Sequence, residues 1–297
     1  MSIKENYYVS NINKQTCFKE KLVIGDEEEK QNYDLEEVRN RVILGDAVNV
    51  LKKFKEEMVD LIFVDPPYYL QLPNRVLRRW TVKTVVEGMN DAWDKFSSYQ
   101  EYDEFIINLL NEAKRVMKRT ATIWVISTYH SIFRIGKIMQ DLGYWILNDV
   151  VWVKTNPMPN WLGVRFTNAT ETLIWAVKNK LSKNYTFNKY YAKSFGIGKV
   201  AGNIWVLPIC SGKERLRDEK GRKLHSTQKP IELMKRIILT SSKEGDTILD
   251  PMAGTGTTGY VASALKRNFI LIEKNPDYIK VIEERLLCPF YICKNRI

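Results

Sequence analysis

From Arg41 onward, short apolar runs alternate with stretches in which apolar residues recur every three or four positions. That alternation predicts strands interleaved with amphipathic helices. "RVILGDAVNVLKKF" reads as a strand, a turn at Gly45-Asp46, and a helix with Val48, Leu51 and Phe54 on one face. "MVDLIFV" is a continuous apolar run, the pattern of a strand covered on both faces. Residues 99–118 place Phe105, Leu109, Ala113 and Val116 at helical spacing. "TATIWVIST" predicts a strand, and "IFRIGKIMQDLG" predicts a helix ended by Gly143. "YWILNDVVWVK" and "ETLIWAVK" predict two more strands. After a basic, aromatic stretch, "KPIELMKRIILTSS" predicts a helix with Pro230 at its first turn. "DTILDPMAGTGTTGYVASALKRNFILIEKN" then reads as strand, glycine turn, helix and strand, with a last helix over Pro276 to Leu287.

This order predicts a mostly parallel, helix-covered sheet, interrupted once by an insert at about residues 156–224. Residues 1–39 are polar, carry Glu27-Glu28-Glu29, and read as a loose extension. Residues 69–98 lack clear periodicity and read as a long loop. The formal charge of +11 over 297 residues favours a polyanionic partner such as nucleic acid. Cys17, Cys210, Cys288 and Cys293 form no C-x-x-C pair, and His130 and His225 lie far from them, so no metal site is expected. With no signal-like N-terminus and no membrane-length apolar run, a cytoplasmic protein is expected.

Two turns concentrate the candidate chemistry. "DPPYYLQL" ends the buried strand with an acid, two prolines and two tyrosines, a stiff turn where α/β proteins place their chemistry. Tyr69 with "LQL" reads as the hinge into the following loop. "GTGTTG" at Gly254–Gly259 follows a strand and opens a helix, and Glu273 ends the next strand, where it can accept from ribose hydroxyls. Asp250 at the tip of the first of these strands would repel a pyrophosphate and suits a ligand carrying an amine or sulfonium. That points to S-adenosylmethionine. The plainer reading, in which Asp250 caps its own turn, stays open.

"DPPY", "HSTQKP" at His225–Pro230 and "LDPMAGTGTTG" at Leu249–Gly259, in that order, resemble the β class of amino-group DNA methyltransferases. "WDKF", "YWILNDVVWVKTNPMPN" and "ATETLIWA" further resemble the GANTC-recognising, cell-cycle-regulated adenine-N6 enzymes of bacteria. Those enzymes carry a further C-terminal DNA-binding domain, whereas this sequence ends at Ile297, shortly after the last predicted helix. The resemblance implies a circularly permuted, Rossmann-like methyltransferase fold over residues 40–297. Its sheet would be mostly parallel and seven-stranded, with one antiparallel hairpin strand, and the insert would recognise the target. It implies methyl transfer from S-adenosylmethionine to adenine N6 in double-stranded DNA. A homodimer and a cognate restriction endonuclease are accompanying expectations. Cytosine-N4 transfer and a catalytically silent DNA-binding relative remain the alternatives.

The resemblance also implies roles. Asp65 and the Pro66 carbonyl, stiffened by Pro67, would accept the N–H groups of the target amine, and Tyr68 would stack on a base flipped from the duplex. Asp46, Asp65, Asp250, Ala253, Gly254, Thr255, Gly256 and Glu273 would line the cofactor pocket. His225, Ser226, Thr227 and Lys229 would sit near its methionine part, Lys229 pairing with the cofactor carboxylate. Arg75, Arg78, Arg79 and Lys83 read either as phosphate contacts or as a solvated basic loop. Asn156, Asn160, Trp161 and Arg165 are candidates for reading base edges, and Lys189 and Lys193 for tracking the DNA backbone.

Overall fold

The apolar runs become the centre of one sheet. The structure, a computed structural model, describes residues 18–24, 30–70, 94–160, 163–196 and 200–287, and the backbone of 75–79 and 82–86. Strands β2 (Arg41–Leu44), β3 (Val59–Val64), β6 (Met117–Ser127), β10 (Thr247–Asp250) and β11 (Asn268–Glu273) form its middle. Strands β1 (Leu22–Val23), β7 (Trp145–Lys154), β8 (Thr170–Val177) and β9 (Ile204–Leu207) extend it, giving the order β1-β2-β11-β10-β3-β6-β8-β7-β9. Only β8 runs against its neighbours, β6 and β7; every other pairing is parallel.

Among the described residues the sheet therefore has nine strands rather than the expected seven. The additions are edge strands whose patterns are too short or too half-exposed to announce themselves. β1 has two residues, and β9 alternates exposed and buried positions. β9 lies inside the stretch read as an insert, yet it joins the central sheet beside β7. Part of the segment read as loose is also folded. β1 pairs with β2, and helix α1 (Leu35–Val38) opens on a capping box between Asp34 and Glu37. The stretch read as a structureless loop contains an antiparallel hairpin, β4 (Arg75–Arg79) and β5 (Val82–Val86).

Helices cover both faces. Helices α2 (Ala47–Lys52), α3 (Tyr99–Val116) and α4 (Ile132–Asp141) bury Leu51, Leu109, Ile135 and Met139 against one face. Helices α6 (Ile231–Ser241), α7 (Thr257–Ala264) and α8 (Pro276–Leu287) bury Leu233, Ile237, Val261 and Ile282 against the other. A short helix, α5 (Lys189–Ser194), precedes β9. Because β10 lies between β3 and β11, Asp65, Asp250 and Glu273 emerge side by side at the carboxyl edge. In α/β sheets, ligands bind at that edge.

Candidate active site

Asp65 is the first residue beyond β3, and both its oxygens are engaged. Its Oδ2 lies 2.6 Å from Lys229 Nζ, and its Oδ1 accepts from the Tyr68 hydroxyl at 3.0 Å. The same hydroxyl lies 3.0 Å from Glu171 Oε2, and Glu171 Oε1 pairs with Lys154 Nζ at 2.8 Å. Burial raises the Asp65 carboxyl above its ordinary value, more than Lys229 and Tyr68 lower it. For Lys229, burial favours the neutral amine, but Asp65 and Glu171 more than offset it and hold the cation. Burial likewise disfavours ionised Glu171, yet Lys229 and Lys154 keep its carboxyl below the usual value. Lys229 thus pairs with Asp65 while also lining the cavity described below.

The rest of the turn is locked into the core. Tyr102 donates its hydroxyl to the Pro67 carbonyl at 2.9 Å. Tyr69 takes a left-handed φ of 51° and buries its ring against Tyr102, Phe96 and Tyr99. Tyr69 itself is thus anchored in the core, and Gln71 and Leu72, the end of the stretch read as a hinge, lie outside the described residues. The Tyr69 and Leu70 amides donate to the Asp94 carboxylate at 2.6 and 2.8 Å, so the segment bearing the β4–β5 hairpin leaves and returns at one clamped point.

Beside this turn lies a cavity of about 590 Å³, the size of a small-molecule site. Asp46, Asp65, Asp250 and Glu273 line it, as do Ala253, Gly254 and Thr255 from the glycine turn. His225, Thr227 and Lys229 close it from the "HSTQKP" stretch. Ser226 and Gly256 are not among the lining residues. Sequence reasoning missed the apolar wall of Phe63, Phe96 and Phe105, and Tyr278, which packs on the His225 ring at 4.8 Å. Their signal was buried in ordinary core periodicity.

Within the cavity, polar groups are organised by the backbone. Asp46 caps α2, accepting from the Val48 and Asn49 amides. Glu273 accepts from the Gly254 and Asn275 amides, both at 2.8 Å. Asp250 accepts from the Met252 amide and the Thr258 hydroxyl, so it does cap its own turn. It also faces the cavity, and burial pushes its carboxyl up to about 7. His225 Nδ1 accepts from the Thr227 amide at 3.1 Å, which makes it a turn-shaping residue. Four carboxyl groups and aromatic walls suit a ligand with a cation, hydroxyls and a ring, and disfavour a pyrophosphate.

The candidate DNA contacts divide. Asn156 Oδ1 accepts from the Ile209 amide, and Asn160 Nδ2 donates to the Arg165 carbonyl, so both brace the loop between β7 and β8. Arg165 is exposed and donates to the Tyr129 hydroxyl at 2.9 Å, just beyond the carboxyl end of β6. Lys189 and Lys193 lie on α5, whose leading Asn188 amide bonds to Thr240 near the end of α6. Helix α6 starts beside Lys229 at the carboxyl edge and runs to the opposite one, so α5 sits away from Asp65. Arg75, Arg78, Arg79 and Lys83 fall on β4 and β5, where the backbone alone is described, and Trp161 lies outside the described residues. Among the described residues no cluster could hold a metal ion, and no helix is long and apolar enough to cross a membrane.

Known proteins resemble this chain in sequence and in fold. The chain is 50% identical over 247 residues to the Type II methyltransferase M.HinfI of Haemophilus influenzae, covering 83% of this chain and 68% of that one. It is 40% identical over 250 residues to the Type II methyltransferase M2.DpnII of Streptococcus pneumoniae, covering 84% and 90%. Among solved structures, the M1.HpyAVI–SAM complex superposes with a TM-score of 0.59 at 26% identity, covering 82% of this chain and 98% of that one. The cytosine-N4-specific PvuII DNA methyltransferase shares the fold, with a TM-score of 0.63 at 18% identity over 86% and 87%. The N6/N4 DNA methylase model matches residues 59–284, and the chain belongs to that family.

Proposed function

We propose that the protein methylates adenine N6 at a specific site in double-stranded DNA, using S-adenosylmethionine, with GANTC as the target. The observation that carries this reading is one cavity holding Asp65, Asp250 and Glu273 together. The cofactor, when bound, supplies an electrophilic methyl group on a cationic sulfur. Glu273 and Asp250 line the cavity and would hold the cofactor's hydroxyls and its cationic part, and the Phe96 and Tyr278 rings border the same space. The strand order supports a permuted chain, since β10 and β11 come last in sequence yet lie mid-sheet. The likeness to Type II methyltransferases supports a cognate restriction endonuclease as functional partner.

An exocyclic amine is a weak nucleophile because its lone pair is delocalised into the ring. Asp65 would accept an amine N–H, localise the lone pair and absorb the positive charge that develops as the N–C bond forms and the sulfur–methyl bond breaks, leaving a neutral thioether. Tyr68 presents an aromatic ring to the flipped base. The test is to incubate plasmid DNA with the protein and S-adenosylmethionine and resolve the nucleosides by mass spectrometry. N6-methyladenine is expected; N4-methylcytosine, or no methylated base, sinks the reading. Asp65→Ala should lose transfer and keep the thermal shift given by S-adenosylhomocysteine.

A further inference from the structure

The Tyr68 hydroxyl has one proton and two carboxylate neighbours, Asp65 Oδ1 and Glu171 Oε2, each at 3.0 Å. An ionised carboxylate only accepts, so the hydroxyl satisfies one neighbour at a time. The remaining oxygens are fixed, Asp65 Oδ2 by Lys229 and Glu171 Oε1 by Lys154. One buried acceptor is therefore short of a donor, and burial makes that deficit costly. The two carboxylates are not equivalent. Asp65 lines the cavity, whereas Glu171 and Lys154 are not among its lining residues. An incoming N–H can reach only Asp65.

We propose that Glu171 is a positioning residue for methyl transfer: it gives the Tyr68 hydroxyl a second acceptor, freeing Asp65 Oδ1 for the target amine. The proposal rests on the reading of Asp65 as the amine's acceptor. With no amine at Asp65, the hydroxyl has both carboxylates within reach at the same 3.0 Å. When the amine donates to Asp65, the hydroxyl turns to Glu171, and every acceptor stays satisfied. Lys154 neutralises Glu171 and fixes which of its oxygens faces Tyr68.

Glu171→Gln tests this at nearly constant shape. Lys154 will claim the amide oxygen, which leaves the amide NH2 to donate to the Tyr68 oxygen and locks the phenol proton onto Asp65. The expected result is a kcat lower by roughly tenfold or more, the scale on which misplaced catalytic groups lose rate. KM for DNA and affinity for S-adenosylhomocysteine should stay near wild type. In a Tyr68→Phe background the same substitution should change kcat by less than about twofold, because the coupling runs through the hydroxyl. A wild-type kcat in E171Q, or an equal deficit in the Y68F background, overturns the proposal. If E171Q does not fold, the E171Q/K154M pair removes the buried ion pair together, and the same comparison with and without Tyr68 reads the coupling. Ultraviolet resonance Raman of the Tyr68 phenol, taken as the difference between protein with and without Tyr68→Phe because the chain has 15 tyrosines, gives a readout apart from activity. Its hydrogen-bond state should change when wild-type protein binds DNA and stay constant in E171Q; no change in wild type overturns the switch. Methylation of cytosine N4 by the wild type would sink the adenine assignment and leave this coupling standing, since that base too offers an exocyclic amine.

Discussion

At the scale of single residues, burial decides what the acids can do. Asp250 is 3% exposed, and desolvation raises its carboxyl from 3.8 to about 7, with the Thr258 hydroxyl and Met252 amide pulling it back. Its folded value lies above its unfolded value. Between those two pH values the folded chain therefore holds a proton that the unfolded chain has released. The ligand-free protein should lose stability as pH rises from about 4 to 7, and Asp250→Asn should remove that component. A cationic ligand reverses the preference, because it favours the ionised carboxylate. Affinity for S-adenosylmethionine should therefore strengthen as pH rises toward about 7, with proton release on binding. Calorimetry in buffers of different ionisation enthalpy reads both effects. A pH-independent affinity, or an unchanged profile in D250N, would remove Asp250 from the cationic end of the pocket.

At the scale of elements, the glycine turn joins strand to helix as much as it meets a ligand. A Cβ at Gly259 would come within 2.5 Å of Leu271 Cδ1, so this glycine sets how closely α7 lies on β11. Gly256 has φ of 73°, and a Cβ there would lie 2.9 Å from Ile282 on α8. Gly259→Ala should cost about 1–3 kcal/mol by overpacking and be largely rescued by Leu271→Val. Gly256→Ala should resist rescue by Ile282→Val, because about 1–2 kcal/mol of left-handed strain remains. Urea midpoints measure all four; a fully stable G259A would contradict the packing. Elements covered on both faces were legible because burial wrote continuous apolar runs, as in β3 and β10. β1 and β9 were not, because edge strands need few apolar residues, and β4 and β5 pair with each other outside the main sheet. The site divides likewise. Asp65, Asp250 and Glu273 stand at strand ends beside turn residues, which mark them. Glu171 is the one charge of β8 and Lys154 the last residue of β7, and charges at the ends of strands carry no signal of a site.

At the scale of the whole molecule, a net charge of +11 favours DNA without saying where it lies. The screening length is about 10 Å at moderate ionic strength, so a cation at the far edge of the sheet contributes little to a duplex held at the catalytic edge. Arg165 projects at the catalytic edge, braced by Tyr129 and by the Asn160 bond to its own carbonyl. Lys189 and Lys193 lie on α5 at the other edge. Location and total charge therefore make opposite predictions. Lys189→Glu with Lys193→Glu changes the net charge more than Arg165→Ala does. If total charge governs binding, the lysine pair should weaken it more. If location governs, R165A should weaken duplex binding and flatten its salt dependence by about one unit of slope for a lost phosphate contact, while the lysine variant stays within about twofold of wild type. Fluorescence anisotropy across a salt series separates the two, and a larger loss in the lysine variant would move the DNA path onto α5.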